Sequence, residues 1–166
     1  MRVGIIGAGL SGLVAARTLV AAGHTVVVIE KSRGLGGRLA ARRVGDTVVD
    51  HGTPIFDAPP GSALADLVAQ LPSDDIVEVA PDRWGYRSGA TRLAKDAAAG
   101  LAVTLATRIA ALRSGAAGIE LAGEQGNTHG TVDAVIITAP APQAADLLDA
   151  SAADPERVAL LRSVRY

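Results

Sequence analysis

Residues 3–30, VGIIGAGLSGLVAARTLVAAGHTVVVIE, decide the fold of this chain. Residues 3–6 and 26–29 are short apolar runs, typical of buried parallel strands, and the residues between them favour a helix. The turn that leaves the first run carries three glycines at GxGxxG spacing, Gly7, Gly9 and Gly12. Glu30 ends the second run, at the separation of about 20 residues that a dinucleotide-binding βαβ unit uses. The stretch therefore predicts an α/β fold that begins with a Rossmann-like unit.

Each of the three glycines has a distinct physical reason. Gly7 permits the tight turn out of the strand, Gly9 lets a pyrophosphate approach the backbone, and Gly12 lets the helix pack closely on the strand. The helix N-terminus offers unpaired N–H groups and a partial positive charge to phosphate. We therefore expect cofactor contacts from these glycines and from the residues among them, Ala8, Leu10 and Ser11.

The carboxylate of Glu30 suits the two hydroxyl groups of a ribose. It would repel a 2′-phosphate, so the pattern disfavours NADP. NAD and FAD fit such a unit equally well. The alternative interpretation is an ordinary tight turn followed by a strand-end acid.

Composition excludes several classes of protein. The chain has 166 residues and is 49% apolar, enough for one domain with a real core. Lys plus Arg number 16 and Asp plus Glu number 17, so charge favours neither nucleic acid nor a membrane surface. Without cysteine there is no disulfide, thiolate metal site or cysteine nucleophile. We expect no bound metal.

The chain opens on its first predicted strand, which leaves no room for a signal peptide, and no apolar run reaches membrane-spanning length. A cytoplasmic location is the expectation. Aromatic residues make up only 2% of the chain, few for a complete aromatic-lined substrate pocket.

Further along the chain, patterning predicts a hairpin over residues 41–50 and a helix over 62–70 with Ser62 as its N-cap. Later elements are listed in chain order: strands at 76–79 and 84–87, a helix at 91–99, strands at 101–105, 109–112 and 119–121, a polar turn at 123–130, a buried strand at 133–138, helices at 142–150 and 155–161, and the start of a strand at 164–166.

The sequence resembles the renalase-like branch of the flavin amine-oxidase superfamily. The resemblance is carried by GAGLSG at 7–12, Glu30-Lys31, GGR at 36–38 and Asp-His-Gly at 50–52. Weaker similarities lie at Ser-Gly-Ala 88–90, Thr-Arg-Ile 107–109, residues 133–140 and the 141–148 segment. A bare Rossmann unit does not choose between NAD and FAD, whereas the added GGR turn is typical of the flavin family. The resemblance implies FAD as the cofactor. It implies that residues 1–54 and 96–166 form an FAD-binding Rossmann-like domain, with residues 55–95 as part of a mixed-sheet substrate domain inserted into it.

The resemblance also implies roles for individual residues. Glu30 and Lys31 would bind the adenosine ribose region, and Gly36, Gly37 and Arg38 would form a second phosphate-binding turn. The loop residues Gly52 and Thr53 would lie against the flavin. The backbone of Ile109 would touch adenine, and Ala139 would belong to the turn that closes the nucleotide site.

The implied activity is FAD-dependent hydride transfer from an amine or dihydronicotinamide-type substrate, with oxygen as the acceptor. No catalytic acid or base stands out, and His51 is a weak candidate because loop positioning explains it as well. The alternatives are a non-catalytic dinucleotide-binding subunit of a hetero-oligomer and a stand-alone NAD-binding protein.

Two departures from the family affect these expectations. The loop after the Asp-His-Gly motif reads TPIF at 53–56, without the usual glutamine and one aromatic ring, so the substrate is left open. Renalase-like enzymes also continue well beyond the position of Tyr166. We therefore expect a second polypeptide, or self-association, to supply the missing half and to cover exposed strand edges.

Overall fold

The computed structural model describes residues 1–71 and 74–165 of the chain. The helices are α1 (Leu10–Ala21), α2 (Ala63–Gln70), α3 (Thr91–Ala98), α4 (Ala141–Ala150) and α5 (Pro155–Ser163). The strands are β1 (Arg2–Ile6), β2 (Thr25–Ile29), β3 (Ala41–Val44), β4 (Thr47–Asp50), β5 (Ile55–Asp57), β6 (Ile76–Ala80), β7 (Arg83–Tyr86), β8 (Val103–Thr104), β9 (Ile109–Gly115), β10 (Gly118–Gly123), β11 (Thr128–Val132) and β12 (Ala134–Ile137). A 3-10 turn covers Gly37–Leu39, between β2 and β3.

The central sheet is parallel, with strand order β12-β1-β2-β8. Val3 of β1 lies opposite Val26 on one side and Ala134 on the other. The chain thus runs outward from β1 to β2 and β8, then returns to add β12 on the opposite side. In open α/β sheets, ligands bind where the strand order reverses in this way, beyond the carboxyl ends of the strands. The predicted α/β, Rossmann-like fold is confirmed.

Apolar side chains are buried on both faces of the central sheet. On one face, Ile5 and Val28 pack with Leu13 of α1 and Leu93 of α3, and all four are fully buried. On the other face, Gly4 has no side chain, and Leu121 of β10 approaches the place where a Cβ would stand. The antiparallel sheet β11-β10-β9 therefore covers that face, together with α4. The parallel sheet lies in the middle of a layered molecule.

Two smaller antiparallel sheets complete the described chain: the hairpin β3-β4 and the three-stranded sheet β5-β7-β6. Phe56 of β5 and Tyr86 of β7 are buried in the same core cluster as α1 and α3. The predicted boundary at residue 95 falls within α3, whose Ala94 and Ala97 pack in that cluster. The two-domain division stays a prediction.

Most predicted elements form within one or two residues of the expected bounds, and Ser62 caps α2 by accepting a hydrogen bond from the Ala65 N–H at 3.1 Å. The strand β5 was not predicted, and three of the predicted elements were wrong. The strand expected at 101–105 is reduced to β8, because the chain turns at Ala106, where φ is 51°. The polar turn expected at 123–130 contains the start of β11, which pairs with β10. Val164 closes α5 through its N–H bond to the Leu161 carbonyl instead of starting a strand. The last residue of that expected strand, Tyr166, lies outside the described residues.

Among the helices of the described ranges, none combines the length and apolar character needed to cross a membrane.

Candidate functional site

A cavity of about 650 Å³ opens at the carboxyl ends of β1, β2 and β12. Its volume falls within the range of small-molecule and cofactor sites. Most of the residues predicted from the sequence to bind the cofactor line it: Gly7, Gly9, Leu10, Ser11, Glu30, Lys31, Gly36, Gly37, Arg38, Ile109 and Ala139. The other four, Ala8, Gly12, Gly52 and Thr53, lie outside its lining. The fold thus brings segments far apart in sequence to one groove.

The first glycine turn leaves open space beside Gly9. A Cβ built on Gly9 would meet no atom within 4 Å, and Gly9 is the N-cap residue of α1. The first hydrogen bond inside α1 runs from the Leu13 N–H to the Gly9 carbonyl at 3.0 Å, so the preceding amides are not used within the helix. The helix therefore presents its positive end to the cavity.

Gly12 serves packing, as the sequence pattern predicts. A Cβ on Gly12 would stand 2.1 Å from the Gly7 carbonyl oxygen, so only glycine lets the helix come this close to the turn. Gly7 itself has a φ of 112°, in the region that side chains disfavour.

The second glycine turn meets the first one directly. The Gly36 N–H donates to the Ala8 carbonyl at 2.9 Å, and Gly9 and Gly36 form a parallel bridge. Gly36 and Gly37 have φ values of 108° and 54°. Arg38 is exposed and is one of the residues that line the cavity. Two bare backbone segments and a cation therefore border the same space, an arrangement suited to a diphosphate.

Glu30 is buried and both of its carboxylate oxygens accept backbone hydrogen bonds. Oε2 accepts from the Ala8 N–H at 2.8 Å, and Oε1 accepts from the Ser32 N–H at 2.7 Å. Each oxygen keeps a second acceptor position. Glu30 thus ties the first glycine turn to the end of β2 while retaining the capacity to accept from hydroxyl groups. This structural role was not visible in the sequence.

The loop at residues 50–53 packs on the second glycine turn from outside the cavity. The Thr53 N–H donates to the Arg38 carbonyl at 2.9 Å, and a Cβ on Gly52 would stand 2.0 Å from that oxygen. Asp50 Oδ1 accepts from the Ala90 N–H at 2.8 Å, so the loop also holds the start of α3. The expected contact of Gly52 and Thr53 with a flavin stays a prediction. His51 is exposed and does not line the cavity.

Sequence reasoning missed several lining residues, which come from four separate parts of the chain. Thr138 follows β12, and its hydroxyl donates towards the carbonyls of Ile6 and Gly7 at 3.1 and 3.2 Å. Across the mouth, Lys31 Nζ donates to Gln143 Oε1 at 2.8 Å. Arg108 and Glu124 form an exposed ion pair at the rim of the cavity. Asp146 and Leu147 also line the cavity and were not predicted. The available signal was that most of the missed residues lie within the segments at 107–109 and 133–148, which carry the weaker family similarities.

Two family models match this chain. Residues 5–71 match a model described as an NAD(P)-binding Rossmann-like domain. Residues 62–166 match the model of flavin containing amine oxidoreductase. Together the two matches span both glycine turns and the segments that complete the cavity.

Curated relatives match over shorter stretches. Putrescine oxidase from Kocuria rosea is 42% identical over 67 residues, which are 40% of this chain and 14% of that protein. L-amino-acid oxidase from Sistrurus catenatus edwardsii is 49% identical over 51 residues, 31% of this chain and 10% of that one. 15-cis-phytoene desaturase from Synechococcus elongatus is 56% identical over 41 residues, 25% of this chain and 9% of that enzyme. The matched segments therefore span only a small part of these relatives.

Solved structures share the fold across the whole chain. An oxidoreductase from Methanosarcina mazei superposes with a TM-score of 0.75 at 13% identity, over 99% of this chain and 66% of that one. A fatty acid isomerase from P. acnes that produces CLA superposes with a TM-score of 0.71 at 15% identity, over 97% and 63%. At such low identity these similarities establish the fold alone.

Sheet order, glycine turns and a strand-end carboxylate define a dinucleotide-binding α/β protein. Since the second family model covers more than half of the residues, the chain belongs to the flavin-containing amine oxidoreductase family. Its cofactor is FAD, and the predicted resemblance to the flavin amine-oxidase superfamily is confirmed. The residues fit this cofactor: the open space above Gly9, the bare second turn and the spare acceptor positions of Glu30 match a diphosphate beside a ribose.

Proposed function

We propose that this chain binds FAD in the cavity and forms the nucleotide-binding part of an FAD-dependent oxidoreductase. The flavin would accept a hydride from an amine or dihydronicotinamide-type substrate, and oxygen would be the final acceptor. The renalase-like branch is the part of the family that this proposal favours, on the GGR and Asp-His-Gly segments. A cytoplasmic location, expected from the sequence, belongs to the same proposal.

The contact between the two glycine turns is the observation that carries the proposal. Gly36 bonds to Ala8, and Gly9 is bridged to Gly36, so both turns border one space that no side chain fills. If the first glycine turn served only to connect a strand to a helix, it would not need a second glycine turn packed against it. This pairing favours a ligand with a diphosphate over the alternative of an ordinary strand-to-helix connection.

Each part of the chain has a defined task in this proposal. The amides at the start of α1 bind phosphate oxygens, and Arg38 compensates their charge. Glu30 holds the ribose while it keeps the turn in place. The backbone at Ile109 borders the adenine end. No proton transfer is assigned to His51, which lies outside the cavity.

We also propose that further polypeptide, from a second chain or from self-association, covers one side of the described chain. The support is a set of exposed apolar residues on the hairpin β3-β4 and on β5, the next strand along the chain. Val44 is 59% exposed, Val49 is 47% exposed and Ile55 is 37% exposed. Apolar edge strands of this kind promote association unless another segment covers them.

A binding experiment tests the central proposal. The purified chain is titrated with FAD, NAD and NADP while the fluorescence of Trp84, the only tryptophan, is followed. We expect FAD to bind at least about tenfold more tightly than either nicotinamide nucleotide, with NADP weakest because of Glu30. A protein that binds NAD more tightly than FAD would instead be the stand-alone NAD-binding protein.

A second experiment separates catalysis from binding. Oxygen consumption is measured with the FAD-loaded chain and with amines or reduced nicotinamides, alone and after co-expression with candidate partner chains. Turnover in either setting supports the oxidoreductase. FAD binding with no turnover in any combination would identify a non-catalytic nucleotide-binding subunit.

A further inference from the structure

The peptide unit that joins Gly7 to Ala8 is held on both of its edges. Its N–H, from Ala8, donates to Glu30 Oε2 at 2.8 Å. Its carbonyl oxygen, from Gly7, accepts from the hydroxyl of Thr138 at 3.2 Å. Glu30 follows β2 and Thr138 follows β12, so residues at the ends of both strands beside β1 hold one peptide plane from opposite sides.

The hydroxyl of Thr138 matters more to Gly7 than to its other acceptor. It also lies 3.1 Å from the Ile6 carbonyl, but that oxygen already accepts the Thr138 N–H at 2.9 Å. Within the described residues, the Gly7 carbonyl accepts no other hydrogen bond. Removing the hydroxyl therefore leaves one partly buried carbonyl unpaired, which is costly.

The held peptide controls the direction of the turn that follows. Gly7 has a φ of 112° and no side chain, so its own conformational preferences do not fix the plane. Gly9, the N-cap of α1, comes two residues later and opens to the cavity. A rotation of the Gly7–Ala8 plane would carry the following amides away from the space where phosphates are proposed to bind.

We infer that Thr138 is a positioning residue for the phosphate-binding turn, acting through the Gly7 carbonyl. It touches no phosphate in this role; it fixes the amides that do. The inference rests on the proposed nucleotide-binding function of the cavity and adds a residue from a distant strand to it. The alternative is that the hydroxyl only closes the end of the sheet.

Substitution of this one side chain tests the inference. Thr138→Val keeps the shape and removes the donor, Thr138→Ala removes the donor without adding a methyl group beside the carbonyls, and Thr138→Ser keeps the hydroxyl. The matched control is Thr18→Val, because the Thr18 hydroxyl donates within α1, to the Val14 carbonyl, on the exposed part of the helix. The probes are ADP and adenosine, measured by calorimetry below the unfolding temperature.

We expect Thr138→Val and Thr138→Ala to bind ADP about tenfold more weakly, with adenosine within twofold of the unchanged chain. Thr138→Ser and Thr18→Val should keep both affinities. A merely structural role would lower both affinities alike or neither, and either result would overturn the inference. The difference between ADP and adenosine is the decisive measurement, since it isolates the phosphates.

Hydrogen exchange of the ligand-free protein provides an independent measurement. The Ala8 amide should exchange faster in Thr138→Ala than in Thr138→Ser, because the peptide plane is released at one edge. Unchanged protection of that amide refutes the positioning role even if no nucleotide binds. Failure of the unchanged chain to bind ADP would instead count against the proposed function, so the two failures are distinguishable.

Discussion

Gly9 and Gly12 lie three residues apart in one turn, yet alanine should affect them in opposite ways. A Cβ at Gly12 would stand 2.1 Å from the Gly7 carbonyl oxygen and 2.8 Å from Thr138 Oγ1. A Cβ at Gly9 would meet nothing within 4 Å, and Gly9 has the ordinary backbone angles φ −75° and ψ 172°. Gly12→Ala should therefore damage the fold, whereas Gly9→Ala should damage nucleotide binding.

The magnitudes follow from these contacts. Overpacking against backbone atoms costs about 3 kcal/mol at the upper end of the usual range, and alanine regains about 1 kcal/mol of helix propensity. The net loss of about 2 kcal/mol lowers the melting temperature of Gly12→Ala by about 4–8 °C. For Gly9→Ala, a poorer N-cap and a less flexible unfolded chain offset each other to within about 1 kcal/mol. Its methyl group enters the cavity and weakens FAD binding about tenfold or more.

Thermal unfolding by circular dichroism and FAD titration of the same samples separate the two effects. The expected pattern is a stable Gly9→Ala protein that binds poorly and a destabilised Gly12→Ala protein. Equal loss of stability in both variants would contradict the packing argument. Unchanged FAD affinity in Gly9→Ala would show that the open space above this residue does not receive the phosphates.

Three further variants test other parts of the description. Glu30→Gln should weaken FAD binding about tenfold in titration and also lower the melting temperature, because one amide NH₂ would face a backbone N–H; an unchanged melting temperature would contradict the two backbone bonds described for this residue. Ser62→Ala should cost about 1 kcal/mol of stability in urea unfolding through loss of the α2 N-cap, without changing FAD affinity. The hydrogen bond from the Arg2 N–H lowers the pKa of Asp133 below its usual 3.8, so its stabilising effect is present above that pH and is lost as pH falls through the lowered value. Between pH 5 and pH 2, the melting temperature should therefore fall less for Asp133→Asn than for the unsubstituted protein. An equal fall in both proteins would contradict the assignment.

Local patterns predicted the parts of the fold that local physics determines. The glycine turns, the apolar strands β1, β2 and β12 and the Ser62 cap depend on residues close in sequence, and each formed where expected. The start of β11 was missed because its polar residues favour a turn, and only pairing with β10 makes them a strand. Thr138 escaped notice for the same reason: its importance arises from a contact with a carbonyl more than a hundred residues away. The buried bonds of Glu30 to Ala8 and Ser32 were likewise invisible, since the motif suggests only a ribose ligand.

The position of β1 between β2 and β12 has a consequence for synthesis on the ribosome. β2 follows β1 within some twenty residues, whereas β12 begins only at Ala134. One edge of β1 therefore stays unpaired until nearly all of the described chain has been synthesised. A nascent chain could not complete the nucleotide-binding site early. The cofactor would therefore bind late, after β12 has joined the parallel sheet.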